Sequence, residues 1–168
     1  MQKIFVYAFK PFGKYKHNVS EEVLRKIPKK SGIKKIVFPV GFKQEIVSTP
    51  IERWKPDFIL GLGQCPAEAK IRIERKAKNQ WKKSKASPIR PITKRGSASY
   101  AASWKIPADR QSRISRNAGW FACNFSMYVI ARWAEKNGKQ FAFLHIPEQY
   151  DPKKASRFVQ RTIRRIQK

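Results

Sequence analysis

The sequence has 168 residues, 41% of them apolar and 12% aromatic, which is enough for one folded domain and argues against a disordered polyelectrolyte. The longest apolar runs are far shorter than a membrane span, and the opening segment MQKIFVYAFK is predicted to be a buried strand rather than a signal peptide. The net charge of +27, from 38 lysines and arginines against 11 acids, favours contact with a polyanion such as RNA.

Short apolar runs predict β-strands at residues 3–9, 35–40, 57–63 and 140–146. Each run is rich in β-branched and aromatic residues and is bounded by polar or Pro/Gly stretches. The runs DFILGLG and QFAFLHI are almost continuously apolar, which is typical of central strands covered on both faces.

Helical patterns lie between these strands. In SEEVLRKI, Ser20 is a predicted N-cap followed by acids in the first turn. Residues 44–54 predict a weaker helix, because Pro50 interrupts the pattern. The strongest pattern covers residues 120–138, where aromatic and aliphatic residues recur at helical spacing and Gly138 suits a C-cap.

Two basic segments stand out from this pattern. Residues 76–105 carry Pro and Ser and have no clear period, so we expect a long loop there. Residues 152–167 predict an amphipathic surface helix with an apolar face and an arginine-rich face. The alternation of strands and helices predicts an α/β protein, a single domain over residues 1–168 with a mostly parallel central sheet.

The sequence does not indicate a metal or cofactor site. His17 and His145 are the two histidines, and neither stands at ligand spacing with Cys65 or Cys123. The chain contains no Walker A sequence and no GxGxxG, so a phosphate-binding loop is not expected. Two cysteines do not make a disulfide framework, and we therefore expect a reducing cytoplasm.

Three residues are candidates for nucleophilic catalysis. Cys123 falls near the predicted start of a helix, where the helix dipole stabilises a thiolate. His145 falls at the end of an apolar strand, the edge at which open α/β sheets bind ligands. Glu74 is an acid in a basic, alternating stretch and could orient a histidine. Each also has a structural interpretation: a buried cysteine, a satisfied core histidine and a salt-bridge partner.

Five blocks of the chain share their order with one known family: AFKPFGKYKHNVS (8–20), IVFPVGF, PDFILGLGQ with IRIERKAKN, SRNAGWFACN and FLHIPEQ. They resemble, in turn, the Phe-Gly-Pro-Phe-Gly opening, Leu-Pro-x-x-Phe, the Pro-Asp strand with Glu-Arg-x-Ala-x-Asn, Ser-x-x-Ala-Gly-x-Phe-x-Cys-Asn and Phe-x-His-x-Pro of pyroglutamyl peptidase I (pyrrolidone-carboxylate peptidase), a family of cysteine peptidases. The blocks touch about half of the chain.

The resemblance implies a three-layer α/β/α sandwich and the removal of N-terminal pyroglutamate through an acyl-enzyme. Cys123 falls on the family's nucleophile, His145 on its general base and Glu74 on the acid that orients the histidine. The positions that would hold the lactam ring are Phe9, Phe12, Asn18, Gln64, Phe121 and Ala122.

The chain also departs from the family pattern. Lys10 replaces a glycine of the opening block, Trp120 stands where a small residue is usual, and the family's Arg-Ile-Pro-Asp-Asn block is missing. The high positive charge suggests a second hypothesis, a family member recruited as a basic RNA- or ribosome-associated binding protein. Family members often form homo-oligomers, although so cationic a surface would repel its own copies at low salt.

Overall fold

The structure is a computed structural model that describes residues 2–167. Along the chain the elements are β1 (Ile4–Phe9), α1 (Val19–Arg25), β2 (Ile33–Phe38), α2 (Gln44–Trp54), β3 (Phe58–Cys65), β4 (Ile71–Glu74), β5 (Lys76–Lys78), β6 (Ser99–Ala101), β7 (Ser112–Ser115), α3 (Ala122–Lys136), β8 (Gln140–Pro147) and α4 (Pro152–Arg164). No helix within this range is long and apolar enough to cross a membrane.

The main sheet has the strand order β2-β1-β3-β8-β4-β7. Strands β2, β1, β3 and β8 run parallel to one another. Strand β4 runs antiparallel to β8, and β7 runs parallel to β4. The sheet is therefore mostly parallel, which confirms the predicted α/β class.

Strand β1 buries both of its faces. Along β1, Ile4 and Val6 pack into one apolar cluster with α1 and α4, while Phe5 and Tyr7 pack into a second cluster with α2 and α3. Helices therefore cover both sides of the sheet, and the three-layer sandwich is confirmed.

The predicted helix over residues 44–54 is present as α2, whereas the caps of α1 and α3 lie at positions other than those predicted. Asn18, not Ser20, caps α1, because its Oδ1 accepts the Ser20 backbone N–H at 3.0 Å. Pro50 does not break α2, since the apolar face of that helix is buried in the core and packing outweighs one missing hydrogen bond. Gly138 follows the C-cap of α3 in a left-handed conformation with φ +62°.

The expectation of a long loop over residues 76–105 is correct only in part. Its two ends pair as β5 and β6, an antiparallel ribbon beside α3. Between them, Asn79 Oδ1 accepts the backbone N–H groups of Ile92 at 2.7 Å and Thr93 at 2.9 Å. Side-chain hydrogen bonds of this kind substitute for a regular ladder and leave no periodic signal in the sequence.

Candidate active site

Glu74 and His145 are joined by a buried hydrogen bond between neighbouring strands. Glu74 closes β4 and lies diagonally across from His145 on the antiparallel strand β8, so the two side chains share one face of the sheet. His145 Nδ1 lies 2.8 Å from Glu74 Oε1, and the two residues are 4% and 0% exposed. A carboxylate only accepts hydrogen bonds, so Nδ1 carries the proton and Nε2 is left to act as a base.

Glu74 is held in its ionised form. Burial raises the pKa of this carboxyl group, but the hydrogen bond and charge of His145, with Ser115 and Arg72, outweigh burial and lower the pKa below its ordinary value. Glu74 Oε2 makes no hydrogen bond of standard geometry among the described residues, although Ser115 faces Glu74 in the adjacent strand. His145 is therefore the main partner of this charge.

Cys123 lies over the end of β3, next to the histidine. It is the second residue of α3 and is partly exposed. Gly63 pairs with His145 in the register of β3 and β8, and a Cβ atom added at Gly63 would lie only 2.7 Å from Cys123 Sγ. The absence of a side chain at Gly63 is what allows the sulfur to approach this strand.

The pKa of His145 depends on both of its neighbours. Burial lowers the pKa of His145, but Cys123 and Glu74 raise it more, to about 9. A histidine placed between Cys123 and the Glu74 carboxylate is thus stabilised as the imidazolium. This is the electrostatic arrangement in which a thiol loses its proton to a neighbouring base.

A buried pair supports the first turn of α3 from below. Ser126 Oγ donates to the Cys123 carbonyl oxygen at 2.9 Å, and Tyr7 Oη lies 3.2 Å from the same hydroxyl. Burial is the main cause that raises the pKa of Tyr7, with a contribution from the charge of Cys123. Tyr7 is therefore neutral, and its hydroxyl supports Ser126 through a hydrogen bond.

The basic 76–105 segment is hydrogen-bonded to Asn124, the residue after Cys123. Asn124 Oδ1 accepts the Lys78 backbone N–H at 2.9 Å, and Asn124 Nδ2 donates to the carbonyls of Lys78 at 2.9 Å and Gln80 at 2.7 Å. The start of α3 is therefore held from outside the sheet as well as from below.

The aromatic candidates for the lactam pocket fall into two environments. Phe9 is buried at the end of β1 and makes an edge contact with Tyr7 at a ring distance of 5.8 Å. Phe12 and Phe121 are instead 41% and 40% exposed. Ala122, the first residue of α3, is buried in the core.

The polar candidates meet at the start of α1. Asn18 Oδ1 caps the helix, and its Nδ2 donates to the Lys10 carbonyl at 3.2 Å. Gln64 Oε1 accepts the Val19 backbone N–H at 2.9 Å. Both side chains are thus engaged in fixing α1 to the end of β3, and the structure does not show them bonded to the catalytic candidates.

Trp120 is half-exposed and contacts the basic segment. Its side chain is 40% exposed, and Lys82 Nζ lies 5.2 Å from the ring centroid. The Lys82 backbone N–H also donates to the Trp120 carbonyl at 2.8 Å. The tryptophan is therefore directed towards the basic segment.

Sequence reasoning overlooked Gly63, Ser126, Tyr7 and Ser115. The glycines of DFILGLG are two residues apart in a strand, a spacing that indicates close approach on one face and could have singled out Gly63. No pattern singles out Ser126, Tyr7 or Ser115, whose partners lie far away in the chain. Within residues 2–167, no group of three or more His, Cys, Asp or Glu residues is arranged to hold a metal ion.

Comparisons with known proteins agree with this geometry. The model of the pyroglutamyl peptidase family matches residues 2–159. The chain is 35% identical to the pyrrolidone-carboxylate peptidase of Fusobacterium nucleatum, over 88% of this chain and 78% of that protein. It is 34% identical to the same enzyme of a Thermoanaerobacter species, over 86% and 82%.

Solved structures show the same fold. A variant of pyrrolidone carboxyl peptidase from Pyrococcus furiosus superposes with a TM-score of 0.82 over 97% of each chain, at 23% identity. The family match over nearly the whole chain, together with the Fusobacterium relative, settles the classification. The chain belongs to the pyroglutamyl peptidase family of cysteine peptidases.

Proposed function

We propose that this protein hydrolyses the bond after an N-terminal pyroglutamyl residue, with Cys123 as nucleophile, His145 as general base and Glu74 as the residue that orients the histidine. The observation that carries the proposal is the buried 2.8 Å hydrogen bond from His145 to Glu74, beside a cysteine that packs against Gly63. Nucleophile, base and orienting acid are the parts that a cysteine peptidase requires.

In the first half of the reaction, the Cys123 thiol gives its proton to His145 Nε2 and the thiolate attacks the carbonyl carbon of the pyroglutamyl residue. The tetrahedral intermediate collapses as the C–N bond breaks. His145 then passes its proton to the leaving amine, which departs as the shortened peptide. Glu74 stabilises the imidazolium that exists between these two transfers.

In the second half, His145 takes a proton from water, which attacks the thioester carbon. The C–S bond breaks, pyroglutamate leaves and the proton returns to the thiolate. The carbonyl oxygen carries negative charge in both intermediates. The first turn of α3 offers backbone N–H groups for this charge, since the first hydrogen bond of the helix runs from Phe125 N–H to Phe121 C=O at 3.0 Å.

The lactam ring is small, flat and uncharged, and it requires apolar walls with a few fixed hydrogen bonds. Under this proposal Phe12 and Phe121 supply exposed apolar faces, while Phe9 forms the buried floor. Asn18 and Gln64 fix the start of α1 through their side chains, and the backbone of Gln64 is the proposed partner of the lactam amide.

A fluorogenic pyroglutamyl amide tests the proposal directly. We expect the wild-type protein to release the fluorophore and Cys123→Ala to lose the activity. Cys65→Ala is the matched control, because Cys65 is buried in the same strand as Gly63, and burial is the main cause that raises its pKa to about 12. Folded wild-type protein without turnover, or equal activity in Cys123→Ala, would contradict the proposal.

A further inference from the structure

A cavity of about 760 Å³ lies apart from the catalytic candidates, where β5 and β6 meet the ends of β4 and β7. Its charged lining consists of Arg75, Lys76, Lys105 and Arg116, and Ser99 and Ile114 contribute to the wall. No carboxylate lines it, and neither does Cys123, His145 or Glu74.

The cations of this cavity have no acidic partners. Within residues 2–167, none of Arg75, Lys76, Lys105 and Arg116 forms an ion pair. Arg75 Nη2 donates instead to the Ile106 carbonyl, and Lys105 Nζ donates to a carbonyl on the same loop. These neutral acceptors orient the two side chains without compensating their charge.

Arg75 has an unsatisfied hydrogen-bond donor. Its Nη1 is buried and makes no hydrogen bond among the described residues. A buried donor without a partner is costly, and the cost is greater for a charged group. Burial lowers the pKa of Arg75, and the charge of Arg116 lowers it further, so the cations of this cavity repel one another. An anion bound between the cations would relieve their mutual repulsion.

The geometry favours a phosphate group as that anion. A guanidinium presents paired N–H donors that match two phosphate oxygens, and a phosphate carries more charge and more acceptors than a carboxylate. The volume exceeds that of a single phosphate and lies in the usual range for ligands of nucleotide size. We propose that this cavity binds a phosphate-bearing anion through Arg75, Lys76, Lys105 and Arg116.

Two sources of phosphate remain to be distinguished by experiment, a free nucleotide and a nucleic-acid backbone. We would titrate the protein at low salt with inorganic phosphate, ATP, a short single-stranded oligonucleotide and a tetraglutamate peptide. The test variant is Lys76→Gln/Arg116→Gln, whose two side chains are exposed in the cavity. The matched control is Lys153→Gln/Lys154→Gln, which removes the same charge from an exposed turn of α4.

We expect the cavity variant to weaken binding of at least one phosphate probe by about tenfold or more, because two charge-assisted contacts are lost. The control should change it less than about twofold, as expected for exposed charges that make no contact with the ligand. If the source is nucleic acid, the slope of log affinity against log salt for the oligonucleotide should also be smaller in magnitude by about 1.4 in the cavity variant than in the wild type. A preference for ATP over the oligonucleotide identifies the source as a nucleotide.

Equal weakening in the cavity and control variants would overturn the proposal, and so would binding of tetraglutamate alone or of no phosphate probe. Arg75→Gln provides a second variant should the double substitution fail to fold, with the same expected loss. All titrations are repeated in Cys123→Ala protein, so that the outcome does not depend on peptidase activity.

Discussion

Gly63 lies directly beneath the sulfur of Cys123: a Cβ atom at this glycine would come within 2.7 Å of Sγ and also within 2.7 Å of the Phe143 ring. These distances are well inside van der Waals contact. A strand residue with no side chain therefore sets the height of the thiol above the sheet.

Gly63→Ala should lower kcat/KM by roughly 100-fold, because the added methyl group displaces the sulfur by a large fraction of an ångström or more. Overpacking against Phe143 should also reduce the free energy of unfolding by about 1–3 kcal/mol. Thermal melting shows whether the variant is folded, and steady-state kinetics measure its kcat/KM. A folded Gly63→Ala variant with the kcat/KM of the wild type would contradict this role of Gly63.

Glu74→Gln should keep the shape of the site and lower kcat by roughly 10²–10⁴-fold, because an amide neither stabilises the imidazolium nor fixes the proton on Nδ1. Glu68→Gln is the control, an acid near the start of the same strand whose partners are Arg72 and Arg113. It should remain close to wild-type activity. Steady-state kinetics with a pyroglutamyl amide measure both, and a Glu74→Gln variant above half of the wild-type rate would remove Glu74 from the mechanism.

The lowered pKa of Glu74 also predicts how stability depends on pH. A depressed folded-state pKa means that the ionised carboxylate stabilises the fold above the ordinary value of 4.5, and that this contribution is lost as pH falls through the folded pKa. Denaturant unfolding of wild type and Glu74→Gln below pH 5 should therefore show a smaller acid-induced loss in the variant. If the free energy of unfolding falls equally with pH in both proteins, Glu74 does not contribute the pH-dependent stability expected of it.

His145 should titrate with a pKa of about 9 in the wild-type protein. Cys123→Ser removes the sulfur that contributes to this value, and the pKa of His145 should fall. The stabilisation from the imidazolium is fully present below the ordinary pKa of 6.5 and is lost as pH rises through about 9. NMR titration of the two histidine rings, with His17→Gln to assign the exposed one, gives the values. An unchanged pKa of His145 in Cys123→Ser would contradict an electrostatic interaction between the two residues.

The Tyr7–Ser126 pair predicts an unequal response to removal of each hydroxyl. Ser126→Ala leaves the buried Tyr7 hydroxyl without its 3.2 Å partner and also frees the Cys123 carbonyl, so the free energy of unfolding should fall by about 1–3 kcal/mol. Tyr7→Phe should cost less, and the double variant should cost less than the sum. Strict additivity in urea unfolding would show that the two hydroxyls act separately.

The sequence predicts the strongly apolar elements well. Strands β1, β3 and β8 and helix α3 are recognisable because their periods reflect burial on one or both faces. The short strands β4 and β7 are not predicted, since Arg72 and Arg113 interrupt their apolar pattern and their pairing is set by distant strands. For the same reason no local signal shows that β4 runs antiparallel to β8.

The order of the sequence blocks, and not any local pattern, predicts the candidate site. Cys123, His145 and Glu74 each have an ordinary structural interpretation when taken alone, and only the fold brings together His145 and Glu74, which are 71 positions apart in the chain. Trp120, which stands where a small residue is usual in the family, contacts Lys82, and nothing in the sequence indicates that contact.

Recruitment as a basic RNA- or ribosome-associated protein stays a prediction, as do homo-oligomer formation and a cytoplasmic location. For nucleic-acid binding the decisive property is salt dependence, because each phosphate contact releases counterions and steepens the slope. An affinity that is independent of salt would argue against this role.

The most direct test of the central claim is to trap the acyl-enzyme. Acid quenching during turnover of a pyroglutamyl amide, followed by proteolysis and mass spectrometry, locates the thioester on the chain. We expect a pyroglutamyl adduct on the peptide that contains Cys123. Turnover with the adduct on Cys65, or turnover that persists in Cys123→Ala without any adduct, would contradict it.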